Sequence, residues 1–189
     1  MIRTSAIALA AAALAQPALA QPREGMAGLF TDFAQGFITT QAQYGANIIA
    51  NTLQSALQRS RDNLRPESKP IPDEVRKALV PFYPEELLKD VRYTIGDPSQ
   101  TGVAGFAIRN GNAAAVTLID TVVFKEEDYV HSLALWAHEL HHVEQYKEWG
   151  VAGFAQRYAF GWADVEAEAS AKADAFVAWY RDRMGLHPR

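Results

Sequence analysis

Ala137-His138-Glu139-Leu140-His141-His142-Val143-Glu144-Gln145-Tyr146 holds an H-E-x-x-H pentad within a run of helical spacing. At 3.6 residues per turn, positions 138 and 142 lie about 40° apart around the axis and about 6 Å apart along it. Two imidazoles so placed can converge on one metal at roughly 2.0–2.1 Å. Glu139 is turned about 100° from His138, beside such a metal and within reach of a water on it. The flanks support a helix with two buried faces. Leu135, His138, His142, Gln145, Tyr146 and Trp149 form one stripe, and Leu133, Trp136, Leu140 and Val143 form another. Glu126, Glu127 and Asp128 precede it as favourable charges for a helix start, and Gly150 supplies a stop.

A catalytic zinc takes three protein ligands and keeps one position open, so a third ligand must come from elsewhere in the chain. There is no cysteine. His131 is two turns before His138, about 10 Å along the axis, too far to share its metal. His141 falls on a face with Ala134, Glu144 and Glu148, which reads as polar, at the surface or the cleft lip. His187 belongs to the C-terminal tail. The carboxylate candidates lie in a second alanine-rich helix, expected from Asp164 to about Met184. Glu168 has Lys172 four residues on, the arrangement of a surface ion pair. Glu166 shares a face with Ala169, Ser170, Ala173, Val177 and Tyr180, so it points inward without a cation of its own. A buried carboxylate in that situation suits a metal.

These residues resemble a known family. The helix around His138 and His142, then Trp149-Gly150-Val151-Ala152-Gly153-Phe154, then Val165-Glu166-Ala167-Glu168-Ala169, is similar to bacterial zinc metallopeptidases of the gluzincin kind. Within them the sequence resembles the extracellular contractile injection system core domain family, long filed as a domain of unknown function. Pro70 to Arg76, Pro84 to Leu88 and Val91 to Tyr93 extend the similarity upstream, so it spans about residues 70–180 with the strong motifs within 137–169. The resemblance implies His138, His142 and Glu166 as zinc ligands and Glu139 as general base. It also implies an α+β, zincin-like fold, mostly helical, with a small antiparallel sheet before the H-E-x-x-H helix. One position departs from the pattern: gluzincins often carry Asp four residues after the third ligand, orienting a histidine, and Ser170 stands there.

Strand signals precede the helix at Val91–Ile95, Gly102–Arg109 and Ala115–Phe124, with Asn110-Gly111 as a hairpin turn. By analogy with zincins, the last strand, around Thr117 to Phe124, would border the cleft and could pair with an extended peptide. Upstream, Tyr44, Ile48, Ile49, Leu53, Ala56 and Leu57 give an amphipathic helix from about Thr40 to Leu64, followed by a proline-rich connector, 65–72. Packing is the simplest role for that helix; a cover over the cleft and a partner-binding helix are the alternatives.

Residues 1–20 read as a secretory signal: Arg3, an apolar stretch from Ala6 to Ala15, and Ala18-Leu19-Ala20 before Gln21. The expected organisation is therefore a signal peptide (1–20), an N-terminal helical segment and linker (21–69) and a zincin-like metallopeptidase domain (70–189). Removing Arg3 with the signal leaves 17 basic against 22 acidic residues, a net charge of −5, which argues against a nucleic-acid partner. No transmembrane segment is expected in the mature chain, and its expected location is periplasmic or secreted. There is no internal repeat, and nothing in the sequence sets an oligomeric state.

The chemistry expected is peptide-bond hydrolysis in a peptide or protein substrate, with Zn2+ as cofactor and Glu139 as base. Gln145 is a candidate for orienting the site, and Tyr146 and Tyr158 are candidates to donate to the developing oxyanion. Two other readings stand beside it. One is a catalytically weak or inactive scaffold acting as a binding module; the other is a metal hydrolase of a cell-wall peptide or an ester.

Overall fold

The computed structural model describes residues 42–96 and 113–186. The signal-like segment, the expected strand 102–109 with its Asn110-Gly111 turn, and His187 lie outside the described residues. Helix α1 (Ala42–Leu64) comes first, its far end running into a 3-10 turn at Arg65–Glu67. Strand β1 (Lys69–Pro70) follows, then short helices α2 (Asp73–Leu79) and α3 (Glu85–Leu88), each led by a proline and opening on two acidic residues. That order is what a helix N-terminus favours: fixed backbone before it and negative charge in its first turn. Next come strands β2 (Arg92–Ile95), β3 (Ala115–Leu118) and β4 (Thr121–Phe124), a 3-10 turn at Glu127–His131, and helix α4 (Leu133–Arg183).

The sheet runs β1-β2-β4-β3. It corrects two expectations. First, it is mixed rather than antiparallel, because β2 and β4 run parallel with Tyr93 opposite Val122. Second, 115–124 is not one strand but a hairpin that turns at Ile119-Asp120 and sets Leu118 opposite Thr121. Both strands of that hairpin are buried throughout, so on each side of the turn the sequence reads alike, as strand. Thr121–Phe124 is thereby enclosed between two strands and cannot take up a peptide. Among the described residues β3 forms one edge of the sheet.

Helix α4 is broken twice, at Gly150 (φ 68°, ψ 167°) and Gly161 (φ −146°, ψ 36°). The three helical stretches are 133–149, 151–160 and 162–183. The first is capped by Ser132, whose hydroxyl accepts from Leu135 N at 3.3 Å, and not by the acidic residues before it, which sit around the separate 3-10 turn. His131 lies exposed in that turn.

Stretch 133–149 runs between two apolar clusters. One gathers Leu79, Tyr83, Val91, Phe124, Trp136, Leu140 and Phe176. The other gathers Leu53, Leu57 and Leu64 of α1 with Val116, Leu118, Tyr146, Phe154, Tyr158 and Val165. Packing is thus the role the structure gives the inner face of α1. A helix covered on opposite sides has little outward face to spare for polar residues, and even Ala134, read from sequence as facing outward, is buried. His138, Glu139, His142 and Gln145 are buried with it. No helix among the described residues is long and apolar enough to cross a membrane.

Candidate metal centre

His138 and His142 stand one turn apart on stretch 133–149, and their Nε2 atoms lie 3.2 Å from each other. The breaks at Gly150 and Gly161 turn the chain back, so that stretch 162–183 brings Glu166 to the same place. Its Oε2 is 3.3 Å from His138 Nε2 and its Oε1 3.5 Å from His142 Nε2. A tetrahedral ion with bonds of about 2.0–2.1 Å has neighbouring ligand atoms about 3.3–3.4 Å apart. The three side chains already stand at those separations. Among the described residues, this is the group of histidine and carboxylate side chains whose ligand atoms gather within 4.8 Å of one another.

Burial alone would keep the Glu166 carboxyl protonated. The neighbouring His142 and His138, and a hydrogen bond donated by Tyr158 at 2.8 Å, outweigh burial and hold its pKa down at about 2. Glu139 goes the other way. It is enclosed, and burial lifts its pKa to about 7, even though His142 and the Thr117 hydroxyl oppose the rise. Thr117 Oγ1, on β3, donates to Glu139 Oε2 at 2.7 Å. One carboxyl is thus held ionised beside the imidazoles and the other is poised between its two forms.

Hydrogen bonds brace some of these groups and leave one bare. His142 Nδ1 lies 2.8 Å from Gln145 Oε1, and Gln145 Nε2 donates to Val165 O at 3.2 Å and to Glu168 Oε2 at 3.0 Å. His138 Nδ1 is buried and has no hydrogen-bond partner. Ser170, at the position where gluzincins often carry Asp, is only partly buried.

The other expected residues fall as follows. Tyr158 is bound to Glu166, and the Tyr146 hydroxyl lies 3.5 Å from Thr117 O with its ring stacked on Phe154 at 3.8 Å. Burial raises the pKa of both phenols well above the ordinary value. His141 is only partly exposed and pairs with Glu144 at 2.9 Å. The Glu168–Lys172 pair is corrected: Lys172 reaches across to Glu144 at 3.3 Å, and Glu168 accepts from Gln145 instead. Helical spacing sees only partners on the same helix. Thr117 enters the sequence reading only as the start of a strand bordering the cleft, with no role for its hydroxyl. A threonine in a buried strand carries no signal of the helix residue it faces.

No characterised relative and no solved structure matches the chain. The family model of the eCIS core domain matches residues 70–150, the sheet and the H-E-x-x-H helix but not Glu166, and so supports placing this segment in an eCIS-like family.

Proposed function

We propose that the chain is a zinc-dependent hydrolase of peptide bonds, acting in the periplasm or outside the cell after loss of residues 1–20. The observation that carries this reading is the triangle of His138 Nε2, His142 Nε2 and the Glu166 carboxylate, whose sides of 3.2–3.5 Å suit a tetrahedral ion. The donor set, two imidazoles and one carboxylate, is that of a catalytic zinc site. Zinc bound there would acidify a water and polarise the scissile carbonyl.

The chain's own residues supply the rest. Glu139 takes a proton from the attacking water as its oxygen adds to the carbonyl carbon. It returns that proton to the nitrogen as the C–N bond breaks. Thr117 holds one oxygen of Glu139 and leaves the other for this exchange. Tyr158 keeps Glu166 turned toward the imidazoles. In this reading Tyr158 orients a ligand and does not donate to the oxyanion. Thr117 comes from β3, which among the described residues is one edge of the sheet and lies against Glu139.

The test has two parts. The purified mature protein should contain about one zinc per chain, and His142→Ala should lose it. A peptide-library digest should show cleavage that Glu139→Gln lowers by about 10²–10⁴-fold while zinc is retained. Absence of stoichiometric zinc in the wild type would falsify the site. A second reading, a weakly active or inactive scaffold that binds a partner, draws on the bare His138 Nδ1. It predicts zinc without cleavage in the same digest.

A further inference from the structure

We infer that Glu168 and Gln145 form a positioning relay that fixes the proton of His142 on Nδ1 and so presents Nε2 as a lone pair to the Glu166 side of the site. The inference rests on the zinc-site reading for its consequence but on hydrogen-bond logic for its content.

Gln145 is 1 % exposed and its amide can sit in either of two orientations. Two groups of stretch 162–183 decide between them. Val165 O, at 3.2 Å, and Glu168 Oε2, at 3.0 Å, are both acceptors, so the amide nitrogen must face them. The amide oxygen is then left pointing at His142 Nδ1, 2.8 Å away. An oxygen acceptor there requires the ring to be the donor, so the proton sits on Nδ1. Nε2, facing His138 Nε2 and Glu166 Oε1, is the nitrogen left free to bind a cation. Glu168, an exposed carboxylate two hydrogen bonds from His142, thereby helps select the tautomer of a buried ligand.

The relay also makes the two histidines unequal. His138 Nδ1 has no partner, so nothing equivalent selects its tautomer. His142 is the pre-organised ligand and His138 the adaptable one. The link joins the two helical stretches on opposite sides of Gly150 and Gly161, so the second stretch delivers both a ligand, Glu166, and the groups that orient another ligand.

The experiment is imidazole nitrogen NMR on the zinc-free full chain at mildly alkaline pH, together with zinc affinity measured by chelator competition. In the wild type His142 should be protonated at Nδ1. Gln145→Ala should turn it into a mixture of tautomers and lower zinc affinity about 10–100-fold. Glu168→Ala should weaken zinc binding by roughly tenfold and Glu168→Gln, whose amide oxygen still accepts, should recover it. Wild-type His142 protonated at Nε2, or a Gln145→Ala variant unchanged in both tautomer and affinity, overturns the relay. A wild type that binds no zinc but shows the Nδ1–H form, lost in Gln145→Ala, upholds the relay and sinks the zinc reading alone.

Discussion

Ile119 is the non-glycine residue with positive φ among the described residues, at 61°. A β-branched side chain in the left-handed region is crowded against its own backbone, at a cost of about 1–3 kcal/mol. The position is the first of the two residues that turn β3 into β4, where glycine is the ordinary choice. Ile119 packs against the cluster that holds Tyr146 and Phe154, which offsets some of the strain. Truncating a fully buried isoleucine ordinarily costs about 2–5 kcal/mol, and Ile119 is only partly buried. Here relief of strain works against that loss, and Ile119→Gly is expected to cost less than about 1 kcal/mol in urea unfolding. A loss above about 2 kcal/mol would mean that the strain is not there.

Its neighbour Asp120 locks the same turn. Arg61 Nε and Nη2 donate to the two oxygens of Asp120 at 2.8 and 2.6 Å, and Arg65 Nη1 lies 3.0 Å away. Burial pushes the carboxyl pKa up, but the Arg61 bonds, the two arginine charges and Thr121 together hold it below the ordinary value. A depressed carboxylate stabilises the fold fully above its unfolded pKa of about 3.9, and the contribution is lost as pH falls through the folded value. Asp120→Asn should therefore cost about 1–2 kcal/mol at neutral pH, a figure kept modest because the cluster is partly exposed. The difference from wild type should shrink as the pH is lowered below about 4. A gap that stays constant from neutral pH down to about 3 would refute the linkage.

At the scale of elements, the site depends on a reversal of the chain after the H-E-x-x-H helix. Gly150 makes it, with φ 68° and ψ 167°, a region open in practice to glycine alone. A Cβ added there would meet nothing within 4 Å, so any penalty for a side chain comes from the backbone and not from neighbours. Gly150→Ala is expected to destabilise the protein by about 2–3 kcal/mol and to weaken zinc binding, because Tyr158 and Glu166 would no longer return to His138 and His142. A loss below about 1 kcal/mol in urea would show that the helices can reverse without this conformation.

The sequence makes readable what lies within one element and not what passes between elements. Helical periodicity is local, so it placed His138, Glu139 and His142 on one element and turned Glu166 inward on the next. It put Gly150 at the stop for the same reason. The Ile119-Asp120 turn carries none of the glycine or asparagine that marks a hairpin, so the sequence reads as one strand through it. Thr117, the parallel pairing of β2 with β4, and the exchange of Lys172 from Glu168 to Glu144 all depend on contacts between elements, which no spacing along the chain encodes.

At the scale of the whole molecule, the segment matched by the eCIS core domain, 70–150, shares both of its apolar clusters with residues outside it. Leu53, Leu57 and Leu64 of α1 lie upstream of it, and Phe154, Tyr158 and Val165 lie downstream; they meet on Val116, Leu118 and Tyr146. Tyr158 belongs to this cluster and also donates to Glu166, so packing supplied by α1 reaches the Glu166 carboxylate through one side chain. A chain begun at residue 69 would leave the apolar faces of β3 and stretch 151–160 open to water. Such a chain is expected to lose its cooperative thermal transition. Within the full chain, Leu57→Ala, at a position with no exposed surface, should cost about 2–5 kcal/mol and lower zinc affinity in the same samples. If the shortened chain melts as sharply and as high as the full one, α1 is an accessory and the core closes without it.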